Sequence, residues 1–244
     1  MVRRLLVWSL RLPSELTASI DPLPADLHNA NVSGCYVALR ACAELGINRI
    51  SFASSVNALG LEFSRWSTFD YFPLDHKHKT YAEDPYSLSK WECEQQCDSF
   101  VRRYESMRIA SFRMHEVAPV AELERDDQTD KMVLWSHSDP TAVARACLLG
   151  ITVEKDDWKT GHEVFYIVSP KNVSYKTRDE KLSNAQLAQR YYPNVRRRSL
   201  SSCQGRLRLM LFPHSQVPVN KDIDRFGFFD CEKAERFLGW KHDE

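Results

Sequence analysis

Residues 47–54, with the sequence INRISFAS, decide the fold class of this chain. The centre of the segment, Ile50 to Ala53, is a short and strongly apolar run, which is typical of a strand buried in a parallel sheet. Apolar residues recur at helical spacing over 31–45, and Gly46 supplies the left-handed C-cap that ends a helix. The sequence therefore predicts a helix that leads directly into a buried strand.

The same alternation continues along the chain. A second helix is predicted from about Tyr86 to Tyr104, and a second apolar strand from Ile109 to Met114. This pattern over residues 31–114 predicts an α/β layer built on a parallel sheet. Downstream, the sequence predicts one more strand over 164–168 and helices over 139–149, 182–192 and 230–238.

Composition and charge narrow the classes of function. The 244 residues include 33 basic and 33 acidic side chains, and this balance argues against a nucleic-acid binder, which normally has a basic surplus. No run of eighteen apolar residues occurs, so we expect no membrane span. Seven cysteines, an odd number without a CxxC pair, favour reduced thiols in a cytoplasmic protein over a disulfide framework.

Tyr86 and Lys90 lie four positions apart in the second predicted helix. On a helix this spacing places the phenol and the ammonium side by side. A nearby cation stabilises a phenolate, so we expect the pKa of Tyr86 to fall towards the range of an acid/base catalyst. The alternative interpretation is a surface Tyr and Lys on an ordinary helix.

Other polar groups are expected near this pair. Ser55 follows the predicted strand, and open α/β sheets bind ligands at the carboxyl ends of their strands. The long connection over 59–85 joins this strand end to the next helix, so Ser55 and Tyr86 can border one crevice. Asn31 begins the preceding helix, where its amide can join the same polar network.

Two weaker patterns carry no prediction. His76 and His78 lie beside Asp75, but the lysine between them repels a cation, so no metal site is predicted. Ser54 and Ser55 lack the GxSxG turn of a hydrolase nucleophile.

The order and spacing of the quoted segments resemble a known family, the extended short-chain dehydrogenase/reductases, or NAD-dependent epimerase/dehydratase group. The similarity runs from residue 29 to about 119, and weaker likeness continues into the C-terminal part. The segments that carry it are Asn31-Val32-Ser33-Gly34, Ala53-Ser54-Ser55 with Gly60 five residues later, and Asp84-Pro85-Tyr86-Ser87-Leu88-Ser89-Lys90.

The resemblance implies a cofactor, NAD or NADP, and hydride transfer at a hydroxyl or carbonyl carbon of a sugar-like or small hydroxy substrate. By position, Tyr86 would be the acid/base, and Lys90 would hold the nicotinamide ribose and lower the pKa of Tyr86. Ser55 would orient the substrate oxygen. Asn31 would contact the cofactor or a relay water. His115 falls at a cofactor-contacting position, with an exposed loop histidine as the alternative.

The resemblance also implies how the chain is organised: an α/β fold with a partial Rossmann-like parallel sheet and a smaller C-terminal substrate lobe. We expect an irregular segment over 1–30, in which Met1–Leu10 is either a buried strand or a disordered end. A partial dinucleotide-binding domain is expected over 31–119, and the substrate lobe over 120–244, with an arginine-rich, disordered insertion at 196–221. The Tyr86 helix and its predecessor often form dimer faces in this family, so a homodimer is one expected assembly.

The sequence departs from the family before Asn31. No glycine precedes Gly34, and no two of the eight glycines lie within six positions, so a GxGxxG phosphate-binding turn is absent. We therefore expect a member truncated at its N-terminus, with the strand Ile50 to Ala53 near an exposed sheet edge. Two functions stay open: an active oxidoreductase or epimerase, or an inactive remnant that binds no cofactor and acts, if at all, as a binding partner.

Overall fold

A computed structural model describes residues 3–8, 25–174, 181–197 and 221–242 of the chain. Its strands are β1 (Arg3–Trp8), β2 (Ile47–Ser55), β3 (Tyr71–Phe72), β4 (Arg108–Met114), β5 (Gly161–Ile167) and β6 (Arg196–Arg197). Its helices are α1 (Ala25–Glu44), α2 (Pro85–Arg103), α3 (Asp127–Met132), α4 (Pro140–Thr152), α5 (Asn184–Tyr191), α6 (Lys221–Phe226) and α7 (Glu232–Leu238).

The main sheet has four parallel strands in the order β1-β2-β4-β5. Ser54 of β2 is in register with Arg113 of β4, and Arg113 is in register with Tyr166 of β5, so the carboxyl ends of the three strands are level. The short strands β3 and β6 form a separate parallel pair. The predicted fold class, α/β with a Rossmann-like parallel sheet, is confirmed.

Two strands of the sheet come from outside the predicted domain at 31–119. β1 lies within the segment expected to be irregular, where a strand was one of the two alternatives for Met1–Leu10, and α1 begins at Ala25, before Asn31. Because β1 pairs with β2, β2 is an interior strand, and the exposed edge expected at Ile50 to Ala53 is wrong. On the other side, β5 adds a strand from beyond residue 119. Most of the predicted insertion, residues 198–220, lies outside the described residues.

Helices cover both faces of the main sheet. Ile50 and Phe52 of β2 pack with Cys35, Leu39 and other side chains of α1 and α2 in one hydrophobic cluster. Ser51, which points to the opposite face, donates a hydrogen bond of 2.7 Å to the Cys147 carbonyl of α4. The alternation along β2 therefore separates two cores, as expected for a strand between helical layers.

The start of α2 follows from local chemistry. The Asp84 carboxylate accepts a 2.7 Å hydrogen bond from the Ser87 backbone N–H, and Pro85 occupies the first helical position. Further along α2, Asp98 contacts His162 Nδ1 at 2.8 Å, and His162 Nε2 lies 2.7 Å from the Ser111 hydroxyl. This chain of polar contacts ties α2 to β4 and β5.

Two further properties of the described residues concern the state of the cysteines and the presence of membrane-spanning helices. Six cysteines lie in this part of the chain, and all are buried free thiols. Within the same residues, no helix combines the length and apolarity needed to cross a bilayer.

The connection after β2 turns sharply at Gly60. A 3₁₀ turn over Val56–Leu59 ends there, and Gly60 has a φ of 82°, in the left-handed region. A Cβ at this position would lie 2.6 Å from the backbone carbonyl of Tyr81. The two ends of the loop between β2 and α2 are therefore in direct backbone contact at Gly60.

We predict that Gly60→Ala lowers the free energy of unfolding much more than Gly46→Ala, its matched control. Gly46 has a φ of 67°, but a Cβ there would meet nothing within 4 Å. The control thus has only the left-handed backbone cost, about 1 kcal/mol, whereas Gly60→Ala adds a backbone clash and is expected to cost at least about 3 kcal/mol. Urea denaturation of both variants measures the difference, and equal losses would contradict this account of the loop.

Candidate active site

Ser55 and Tyr86 meet where β2 ends and α2 begins. The Ser55 hydroxyl is close enough to the phenol to act on the pKa of Tyr86. The Ser55 oxygen also accepts the Asn57 backbone N–H at 3.1 Å, which fixes the hydroxyl at the strand end. On the other side, the Phe63 ring packs edge-on against the Tyr86 ring, with centroids 5.4 Å apart. The phenol is therefore held between a hydroxyl and an aromatic ring.

The electrostatics of Tyr86 differ from the sequence-based expectation. Burial raises the pKa of Tyr86, and the charges of Glu62 and Asp84 raise it further, while the Ser55 hydrogen bond acts in the opposite direction. The expected fall in the pKa is therefore wrong for this structure. The physical reason is that loss of hydration penalises the phenolate more than one hydrogen bond stabilises it.

Lys90 lies beneath this pair and is only 4% exposed, so the alternative of a surface lysine is wrong. Its Nζ donates a 3.0 Å hydrogen bond to the Ala53 carbonyl and lies 5.7 Å from the centroid of the Tyr86 ring. Burial lowers the pKa of Lys90, against the opposing influence of Cys93, Cys35 and Glu94. The ammonium thus adjoins the Tyr86 ring while bonded to the end of β2.

Asn31 of α1 is hydrogen-bonded to α2, the helix that carries Tyr86 and Lys90. It is 2% exposed, and its Nδ2 donates a 2.9 Å hydrogen bond to the Ser89 hydroxyl, which in turn donates to the Tyr86 carbonyl at 2.7 Å. The Asn31 side-chain oxygen has no hydrogen-bond partner among the described residues. Asn31 is therefore linked to the backbone of Tyr86 rather than to its phenol.

His115 is buried, and the alternative of an exposed loop histidine is wrong. Its Nε2 lies 3.1 Å from the Val133 carbonyl, and its Nδ1 accepts the Glu116 backbone N–H at 2.7 Å. Burial lowers the pKa of His115 to about 3, and the charge of Arg125 adds to the effect. The imidazole is therefore neutral, with Nε2 as the protonated nitrogen.

A buried ionic network, which was not predicted from the sequence, lies beside these residues. Glu94 and Arg113 form a two-point ion pair, with Nη2–Oε2 and Nε–Oε1 distances of 2.7 and 2.9 Å. The Ser54 hydroxyl donates to Glu94 at 2.6 Å, and Arg113 donates to the Tyr166 hydroxyl at 3.1 Å. The available signal was an arginine in an otherwise apolar strand, because a buried cation requires a partner.

A separate cavity opens beyond the end of β5. Its volume is about 980 Å³, and its lining includes Ser169, Asn172 and Lys171. None of the residues predicted to be catalytic or to bind cofactor lines it.

The group around Tyr86 can transfer a proton, because a phenol, a hydroxyl and an ammonium are adjacent at the carboxyl end of a parallel strand.

Comparisons with known proteins show which family and which fold the chain is similar to. The model of the NAD dependent epimerase/dehydratase family matches residues 18–134. A UDP-glucose 4-epimerase of Rhizobium meliloti is 30% identical over 95 residues, which are 39% of this chain and 26% of that protein. The matched region thus spans about a quarter of that relative's length.

Solved structures show the same fold. A UDP-glucose 4-epimerase from Thermotoga maritima, solved with UDP-glucose, has a TM-score of 0.56 at 17% identity, covering 96% of this chain and 71% of that one. An L-threonine dehydrogenase from Phytophthora infestans has a TM-score of 0.57 at 13% identity, covering 100% of this chain and 74% of that one. A UDP-glucose 4-epimerase from Brucella ovis in complex with NAD has a TM-score of 0.52 at 17% identity, covering 90% and 67%. Residues 18–134, just under half of the chain, are similar to the NAD-dependent epimerase/dehydratase family.

Proposed function

We propose that this protein is an NAD(P)-dependent oxidoreductase or epimerase of the extended short-chain dehydrogenase type. Its substrate is a sugar-like or small hydroxy compound, and Tyr86 moves a proton to or from the hydroxyl or carbonyl oxygen. The observation that carries the proposal is the buried Lys90 ammonium, which lies 5.7 Å from the centre of the Tyr86 ring and is bonded to the strand end that carries the Ser55 hydroxyl. The names of similar structures, which include UDP-glucose 4-epimerases and a threonine dehydrogenase, support this class of chemistry.

In this proposal the bound nicotinamide supplies or accepts the hydride. Lys90 holds the ribose and stabilises the phenolate of Tyr86 when it forms. An ammonium has three N–H groups, and the Ala53 carbonyl accepts one of them, so Lys90 retains donors for a ribose hydroxyl. Ser55, whose hydroxyl is fixed at the strand end by the Asn57 backbone N–H, orients the substrate oxygen.

Asn31 and His115 are proposed to contact the cofactor side of the site. The side-chain oxygen of Asn31 lacks a partner within the described part of the chain, so it can accept from a cofactor hydroxyl or a relay water. Both ring nitrogens of His115 lie within hydrogen-bond distance of backbone groups. We therefore propose that His115 contacts the cofactor through the surface of its ring and not through a charge.

The residues of this sequence suit only the nicotinamide end of a dinucleotide cofactor. The residues around Tyr86 suit the nicotinamide ribose, but the phosphate-binding turn GxGxxG is absent from the 244 residues. This observation favours a second candidate function, in which the chain keeps the proton-transfer residues, binds no cofactor and acts as a binding partner. The raised pKa of Tyr86 agrees with that alternative.

We also propose a cytoplasmic homodimer that uses the surface of α1. Tyr36, Val37 and Leu45 are large apolar side chains on or next to this helix, with exposures of 49%, 65% and 58%. Exposed apolar side chains concentrated on one helix suit contact with a second copy. Buried free thiols suit a reducing compartment.

Lys90→Ala is predicted to weaken NADH or NADPH binding at least about tenfold, because it removes the ammonium that holds the ribose. Fluorescence titration of the folded protein with each cofactor measures the effect. Lys159→Ala is the matched control, since Lys159 is 72% exposed and pairs with Asp156. If the folded wild-type chain shows no saturable binding of either cofactor, the proposal fails and the non-catalytic alternative stands.

Tyr86→Phe is predicted to leave cofactor affinity within about twofold of wild type while lowering turnover by at least about a hundredfold, the contribution typical of a general acid/base. The variant removes only the hydroxyl and keeps the ring contact with Phe63. Steady-state kinetics with the same cofactor measures turnover, and Tyr104→Phe at the far end of α2 is the control. Turnover retained in Tyr86→Phe would exclude Tyr86 as the proton donor.

A further inference from the structure

A row of polar side chains crosses three strands just below the candidate site. Ser54, Arg113 and Tyr166 are in register on β2, β4 and β5. All three are buried, with exposures of 4%, 4% and 2%. Because side chains alternate between the faces of a strand, this row lies on the α2 side, in phase with Phe52 and Ile109 of the cluster that packs against α2.

Glu94 completes the row from α2. Its carboxylate accepts from Ser54 at 2.6 Å and from Arg113 at 2.7 and 2.9 Å. Its side chain is 2% exposed and that of Arg113 is 5% exposed. Desolvating both charges costs so much that such a pair rarely adds net stability over apolar residues of the same size. The pair is therefore better explained by what it positions than by stability.

The groups that the pair can position are those of the candidate site. Glu94 follows Lys90 by one helical turn on α2, and Ser54 lies between Ala53, whose carbonyl binds Lys90, and Ser55, whose hydroxyl acts on the pKa of Tyr86. A rotation or shift of α2 against the strand ends would separate both contacts together. The Glu94 bonds to β2 and β4 oppose such a movement.

Charge provides a second link between Glu94 and Lys90. The charged or titratable groups that face Lys90 are Tyr86, Cys93 and Glu94 from α2 and Cys35 from α1, and of these the Glu94 carboxylate favours the ammonium against the effect of burial. From β2, Lys90 meets the Ala53 carbonyl and, at 5.9 Å, the Phe52 ring. The thiols of Cys35 and Cys93 have raised pKa values, so they are neutral, and Glu94 is the carboxylate of this set.

We propose that Glu94 is a positioning residue for the candidate site: held by Arg113 and Ser54, it fixes α2 against the strand ends and keeps Lys90 charged. The meaning for catalysis rests on the proposed function, but the effect on Lys90 does not. The proposal is therefore tested first without any cofactor.

The test follows Lys90 itself by NMR. With lysine labelled at ¹³Cε, the Lys90 signal is assigned by its loss in Lys90→Arg, and its titration midpoint is measured from pH 7 upward. In Glu94→Gln, removal of the carboxylate destabilises the ammonium, so the midpoint is expected about one pH unit lower than in wild type. The charged fraction of Lys90 is then lost at a lower pH.

A second variant covers the case in which Glu94→Gln does not fold, since it leaves Arg113 buried without its partner. The double variant Glu94→Leu with Arg113→Met replaces both charges by apolar side chains and is expected to fold. If the pair serves only stability, the double variant leaves the Lys90 midpoint at its wild-type value, and the proposal is overturned. If Glu94 keeps Lys90 charged, the midpoint falls although the fold is kept.

Arg108→Met is the matched control at the opposite end of β4. Arg108 is also buried, with an exposure of 1%, and donates to the Val153, Trp158 and Gly150 carbonyls. It is expected to destabilise the protein without moving the Lys90 midpoint. An equal shift in Arg108→Met would mean that any loss of stability moves Lys90, and would overturn the proposal.

Cofactor titration then separates this inference from the proposed function. If NADH or NADPH binds, its affinity in the double variant is expected to fall at least about fivefold and to decline from a lower pH than in wild type. If the folded wild-type chain binds neither cofactor, the proposed function fails while the Lys90 midpoints still decide the role of Glu94.

Discussion

The Glu94–Arg113 ion pair is the contact on which the geometry of the candidate site depends. It joins the middle of α2 to the carboxyl end of β4, where Arg113 is in register with Ser54, the neighbour of Ser55 and of Ala53, whose carbonyl binds Lys90. Parallel strands bring their carboxyl ends to one edge, but they do not determine the rotation of a covering helix. A charged pair with directional hydrogen bonds does determine this rotation, because the pair loses much of its stabilising energy when the helix turns.

The two halves of the expected chemistry have different requirements. Proton transfer needs a few side chains at fixed distances, and β2 and α2 alone provide them. Phosphate binding needs backbone N–H groups that converge at a glycine-rich turn before a helix. A chain can therefore retain the first without the second, and this separation is what leaves an oxidoreductase and a non-catalytic binding protein as the two candidates.

Much of the fold was predictable because its signals are local. The apolar run at Ile50 to Ala53 and the Asp139-Pro140 helix start depend on neighbouring residues, and both appear where expected. The Tyr86–Lys90 spacing likewise placed both groups on one helical face. These features need no knowledge of distant parts of the chain.

What could not be predicted depends on contacts distant in sequence. The pairing of β1 with β2 is such a contact, and it removes the exposed edge expected for β2. The pKa of Tyr86 is another case, because the lysine spacing was visible in the sequence but the depth of burial was not. For the same reason Glu94 and Arg113, 19 positions apart, were not recognised as partners.

The polar chain of Ser111, His162 and Asp98 shows how far geometry alone can mislead. A hydroxyl, an imidazole and a carboxylate succeed one another at 2.7 and 2.8 Å, the order and spacing of an acyl-transfer triad. Ser111 has no exposed surface, however, so an ester or amide carbonyl has no route to its oxygen. The three side chains instead link α2 to the sheet. A search for hydrolases that uses side-chain geometry alone would match them, and would have to reject them because the serine is not accessible to a substrate.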